Sequence, residues 1–282
     1  MTVTSRNPPR RLSVDGFVKA SRARVRVVPT NLRPASELVD AHFLKAALQC
    51  MQGHHDAWLS GIHHQYVNLF NLQYRVNDLG DISGVLVDWD LAPDCSWDRR
   101  SGRQPPWTLP FMALDFLAEP DGGIEYLYRH SLEEFFWILV WMCHPRGTFR
   151  SWTADDFEDD CWKKLVFLHN GKYKLRARHG FEGVKAVVEY GLLLHFLRGH
   201  NRRCKETLAL RKAKRIDAST VMKVSETAPQ QSWRHFCDAL RGALDDVLWR
   251  DNPDIASILE EFLETKSLAV LESRFDEVDI TD

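Results

Sequence analysis

The sequence predicts a mainly α-helical domain with one short β-hairpin in its N-terminal third, and three observations carry that expectation. A helical apolar pattern spans about 37–59, a strand-like alternation interrupted by a turn spans about 61–90, and beyond about 110 the apolar residues return to helical spacing. With 44% apolar residues among 282, the chain can furnish the core such a domain needs.

Taken in order, residues 1–22 hold Pro8, Pro9, Arg10 and Arg11 with little apolar periodicity and read as a disordered lead-in. A domain over 23–265 follows, then an acidic tail, 266–282. Residues 24–32 alternate as a short strand does. Pro34 punctuates, and Ser36 stands where it can cap a helix over about 37–59. The period then switches: 66–76 and 84–87 read as strands joined by the turn Asn77-Asp78-Leu79-Gly80. Residues 93–110 are polar and proline-rich, a long loop of the functional kind. In 128–143, Leu132, Phe135, Phe136, Leu139 and Val140 make so wide an apolar surface that this helix belongs in the core. Further helices are expected at about 154–167, 181–197, 231–249 and 254–263, the last announced by Pro253 and Asp254.

The formal net charge of −2 gives no global field toward nucleic acid or an anionic membrane. Cys50, Cys95, Cys143, Cys161, Cys204 and Cys237 form no C-x-x-C pair and read as buried thiols in a reducing compartment. With no apolar leader and no run of about 18 apolar residues, a cytoplasmic or nuclear protein without membrane contact is expected. The basic stretch Arg198, Arg202, Arg203, Lys205, Arg211, Lys212, Lys214 and Arg215 reads as a solvated face, with a nuclear-localisation signal as the alternative. The ten tryptophans read as core rather than as a platform for bases.

Chemistry concentrates in 61–92, which holds His64-Gln65-Tyr66-Val67-Asn68-Leu69-Phe70-Asn71 and, after the expected hairpin, Asp88-Trp89-Asp90-Leu91-Ala92. In phosphoryl transfer an Asp of the first loop orients the attacking hydroxyl, an Asn five residues later binds Mg²⁺, and an Asp after the next strand holds the phosphate-bridging metal. A tight hairpin brings two such loops side by side. Isolated, Asp88 and Asp90 read better as strand-end caps, but their position after a hydrophobic strand and hairpin favours a former metal site. His54, His55, His63 and His64 lack a completing carboxylate or Cys, so they read as helix-surface and loop histidines rather than as a metal site.

Two later blocks complete the pattern: Thr108-Leu109-Pro110-Phe111-Met112-Ala113-Leu114-Asp115, and Tyr128-Arg129-His130-Ser131-Leu132-Glu133-Glu134-Phe135-Phe136. Together the four resemble the fungal-type protein kinase family, whose members read approximately H-R-D-x-S-x-x-N, L-x-D-(F/W)-D-L-A, G-T-x-(P/Q)-F-M-A and Y-R-H-D-L-E-S-F-F. The likeness runs over about 24–264 and is sharpest in these blocks. It implies a protein-kinase-like C-terminal lobe and, for the family, Mg-ATP-dependent phosphorylation of protein Ser or Thr. His64 then braces the backbone, position 66 is that of the catalytic base, and Asn71 and Asp88 are the metal and nucleotide ligands.

The departures bear on activity. Tyr66 stands where the family has its catalytic Asp, and Gln65 where it has Arg; a phenol of pKa near 10 is no proton acceptor at neutral pH. Ser131 replaces an Asp that supports the catalytic loop from below, so weaker support is expected. Asp115 replaces a Glu and needs an arginine partner that the sequence does not identify. About 36 residues precede the first helix, without G-x-G-x-x-G or a strand-borne Lys, against about 80 for an N-lobe, so the N-lobe is expected to be largely absent.

The resulting expectation is a catalytically impaired pseudokinase C-lobe acting as a binding module. It would retain a vestigial Mg²⁺ site at Asn71 and Asp88, bind Mg-ATP weakly or not at all, and use the N-lobe-facing surface for a protein partner or self-association. An active protein kinase is the alternative. A small-molecule kinase of the aminoglycoside or choline type ranks last, because the Thr108 to Asp115 and Arg129 to Trp141 blocks resemble the docking segment and buried central helix of protein kinases.

Overall fold

The computed structural model describes residues 31–89, 106–119, 124–145, 149, 152, 156–174, 176–212, 228–244 and 252–276. The lead-in over 1–22, residues 24–30 of the expected strand, Asp90, Cys95, Trp249 and most of the 93–110 loop lie outside them, and residues 31–32 are not in a strand.

The chain enters through β1 (Arg33–Pro34), paired antiparallel with β2 (Leu72–Val76), which pairs antiparallel with β3 (Ile82–Leu86). This ladder displaces the expected helix start. After pairing with β2 the chain must turn, and it does so in a single 3₁₀ turn, Ala35–Glu37, before α1 begins (Asp40–Leu59). Val39 occupies the N-cap without a side-chain bond, so Ser36 does not cap the helix. The second strand also starts later than the alternation suggests. The Asn68 side chain accepts from the backbone N–H of Phe70 at 2.8 Å and of Asn71 at 3.2 Å, closing a turn over residues that would otherwise join the ladder.

The hairpin is fixed to α1 by close backbone approach. A Cβ added to Gly84 would lie 2.0 Å from the Ala46 carbonyl oxygen, and the Gly84 N–H donates to Gln49 Oε1 at 2.7 Å. Only glycine allows β3 to lie so near the helix.

After a 3₁₀ segment, Pro106–Phe111, come α2 (Leu114–Ala118) and α3 (Tyr128–Cys143). Helix α3 has the bounds its wide apolar surface predicts, and all its residues except Arg129 and Trp141 are buried. Each large apolar side chain there contributes about 1.5–3 kcal/mol. α4 (Phe157–Lys174) covers α2, and α5 (Glu182–Val187) continues through a π turn, Val188–Leu192, into α6 (Leu193–Lys212). α7 (Pro229–Ala243) and α8 (Pro253–Asp276) complete the bundle, α8 extending past the expected boundary at 265. The Asp40 carboxylate receives the first N–H groups of α5, from Val184 at 2.7 Å and Gly183 at 3.1 Å, tying α1 to the bundle.

Some single-residue expectations change. His54 and His55 are buried, not on the helix surface: His54 packs among Trp58, Trp89, Tyr128 and Phe135, and His55 stacks on Trp233. Trp162 is exposed, because the solvent face of α4 carries it, and so is Cys204 on α6; Cys50, Cys143 and Cys237 are buried as expected. Among the described residues no helix is long and apolar enough to cross a membrane.

Candidate functional site

Two loops meet at the open end of the hairpin. The first, between α1 and β2, carries His64, Tyr66 and Asn71; the second, after β3, carries Asp88. They are joined through backbone and buried side chains. The Val87 N–H donates to the Asn71 carbonyl at 3.0 Å, and His64 Nε2 donates to the Val87 carbonyl at 2.8 Å. The backbone of Asn71 therefore faces Val87, the residue before Asp88. His64 is fully buried, and burial lowers its pKa despite the opposing pull of the Val87 carbonyl and Asp88. It is a neutral strut between the loops.

Asn71 is buried, and its Nδ2 donates to the Tyr66 carbonyl at 3.1 Å, leaving Oδ1 as its coordinating atom. Asp88 is exposed. Gln65 and Asp88 both take the left-handed conformation, at φ 55° and 66°, one in each loop. Such backbone costs about 1–3 kcal/mol and persists where surrounding contacts impose it. Here the bonds of His64, Asn71 and Val87 impose it.

One amide oxygen and one carboxylate are a partial ligand set for Mg²⁺, which takes six oxygens and completes them with water and phosphates. Among the described residues no cluster of three His, Cys, Asp or Glu side chains offers a metal site. Tyr66 is half-buried, and its backbone carbonyl, rather than a carboxylate, is what the loop organises.

Support beneath the first loop comes from a residue other than Ser131. Glu134, one helical turn beyond Ser131 on α3, accepts the Val67 N–H at 3.3 Å and the Tyr126 hydroxyl. Ser131 Oγ lies 3.0 Å from the same hydroxyl. On α3 it is Glu134, not Ser131, that bonds the backbone of the first loop.

Asp115 also finds its partners. It pairs with Arg129, accepts from His130 Nε2 at 3.1 Å and lies 3.8 Å from Arg203 Nε. His130 Nδ1 accepts the Leu127 N–H at 3.0 Å, so the Nε2 proton is the one that faces Asp115. Burial alone would raise the Asp115 pKa, but the His130 bond and the two guanidinium groups hold it well below the carboxylate range. Burial pushes His130 down to about 4, against the pull of Asp115. Nearby, the buried Lys164 side chain donates to the carbonyls of Met112 and Leu109, and Glu133 accepts the Leu114 N–H at 2.9 Å, fixing the segment around 109–114 on α3 and α4.

Comparison with known proteins agrees with this geometry. Residues 33–143 match the model of a family described as fungal protein kinase, a span that includes both loops, the docking segment and α3. No curated protein and no solved structure matches the chain. Over residues 33–143, the chain is similar to the fungal protein kinase family.

Proposed function

We propose that this kinase-family chain is catalytically impaired and works by binding, as a pseudokinase. The observation that carries the reading is Tyr66: within a loop whose His64, Asn71 and Val87 bonds are intact, the residue at the general-base position is a phenol. A decaying loop would lose its supports as well as its base, whereas here Glu134 replaces the Ser131 position as the brace. Retained architecture without the proton acceptor favours a scaffold role over phosphotransfer.

Binding of Mg-ATP is weak in this reading, since Asn71 and Asp88 supply ligands but the 282 residues contain no G-x-G-x-x-G to cover the phosphates. The partner is a protein, or a second copy of the chain. Exposed apolar side chains on the first loop and hairpin, Ile62, Phe70, Val76 and Leu79, support a contact surface there. The described cysteines are all free, which supports a reducing, cytoplasmic or nuclear, location. Thermal-shift titration with Mg-ATP tests the reading, because ligand bound only to the native state raises its melting point. Micromolar nucleotide should leave the midpoint unchanged; a clear rise, lost in Asp88→Ala, would contradict it.

A further inference from the structure

The segment running from α5 into α6 crosses α7 closely at Gly191, where an added Cβ would lie 2.7 Å from the Ala239 carbonyl. Beside this crossing, α6 and α7 enclose a groove of about 560 Å³. His195, Arg198 and Arg202 project into it from one face of α6, at the i, i+3, i+7 spacing that aligns helical side chains. His235 and Asp238 face them from α7. Both arginines are exposed, and among the described residues neither has a carboxylate partner. The one acid in the lining, Asp238, accepts from Arg241 at 3.1 Å.

The groove continues inward. A smaller cavity of about 60 Å³ shares His195, Gly199, Arg202 and His235 with it and reaches Arg129 and Arg203. There Arg129 Nε and Nη2 and Arg203 Nε are buried without a hydrogen-bond acceptor, although Asp115 and Glu133 lie within ion-pair range of these arginines. Buried guanidinium donors normally find acceptors, and these point to an acceptor that the protein itself does not supply. Burial, and then its neighbours His235, Arg203 and Arg202, push His195 down to about 4.

We propose that the groove between α6 and α7 is an anion site that takes a phosphorylated peptide segment, with Arg198 and Arg202 holding the phosphoryl group. A doubly charged phosphoryl group matches two free guanidinium groups and two imidazoles better than a single carboxylate does. A peptide fits better than a bare ion because the same lining offers an apolar strip, Leu194 with Ala239, and open space at Gly242.

The test is fluorescence anisotropy with a labelled peptide pool carrying a central phosphoserine, run beside its unphosphorylated twin, with inorganic phosphate as competitor. The phosphorylated pool should bind at least about tenfold more tightly than its twin, and Arg198→Ala with Arg202→Ala should remove that preference. Because both arginines are exposed, the double variant should keep the wild-type melting point. The His195 imidazole resonance should also shift toward the protonated form as peptide binds. Equal binding of the two pools, a preference that survives the double substitution, or displacement by inorganic phosphate at concentrations equal to the peptide's would each overturn the proposal.

Discussion

Removing the Glu134 carboxylate should destabilise the protein more than removing the Ser131 hydroxyl, although Ser131 occupies the position at which the resembled family keeps its supporting acid. Glu134 is buried and accepts from two donors, the Val67 N–H and the Tyr126 hydroxyl. Glu134→Ala strands the buried Val67 N–H while the half-buried Tyr126 hydroxyl keeps Ser131 Oγ, so a loss of about 1–3 kcal/mol is expected. Ser131→Ala removes one hydroxyl contact while Glu134 still holds Tyr126, for a loss of about 0.5–1.5 kcal/mol. Ser131→Asp, the family residue, should also destabilise, since it sets a second carboxylate beside Glu134; combining it with Glu134→Ser should recover most of the loss. Urea unfolding of the five proteins measures these differences, and hydrogen exchange at the Val67 amide reports the brace itself. If Ser131→Ala costs more than Glu134→Ala, or Val67 protection survives Glu134→Ala, the relocated brace is wrong.

Gly84→Ala should lower stability by about 3 kcal/mol or more, since the new Cβ would meet the Ala46 carbonyl at 2.0 Å and backbone must move; circular-dichroism melting checks it. His54 should make the protein acid-labile. Burial, helped by the neighbouring His64, His55 and His63, lowers its pKa to about 3, so the unfolded chain takes up the proton first. Its contribution is therefore steady above the unfolded value near 6.5 and falls as pH drops through that value toward 3, by at most about 1.4 kcal/mol per pH unit. His54→Leu should remove that slope relative to wild type. It should also raise neutral-pH stability by about 1–2 kcal/mol, because neither ring nitrogen has a hydrogen-bond partner; parallel urea titrations at pH 7 and 4.5 would show it.

How much of this was legible in the sequence depended on whether the signal was local. Helix α3 was readable to its ends because its apolar surface wraps most of the cylinder, and the Asn77 to Gly80 turn because its residues favour one. The start of β2 was not, since the Asn68 side-chain bonds that displace it leave the strand-like alternation intact. The burial of His54 and His55 was hidden because their aromatic neighbours come from the later segments that hold Trp89, Tyr128 and Trp233.

The site was legible as a pattern of positions and less so as a set of contacts. Reading Ser131 against the family's Asp predicted a weakened loop, yet the carboxylate stands one turn further on. A signal existed: Glu133 and Glu134 are adjacent acids in an otherwise apolar helix, and buried carboxylates need donors. The Arg203 partner of Asp115 lies on α6, far along the chain, and no local pattern announces it.

The central claim, that the chain keeps a kinase architecture but not its chemistry, is tested most directly by transfer of labelled γ-phosphate to a generic protein substrate. The unmodified chain should stay at background. Tyr66→Asp alone should stay there too, because restoring a base worth about 10²–10⁴ in rate does not supply the phosphate positioning on which phosphoryl transfer depends. Robust transfer by the unmodified chain, abolished by Asp88→Ala, would contradict the account and make Asn71 and Asp88 a working metal site.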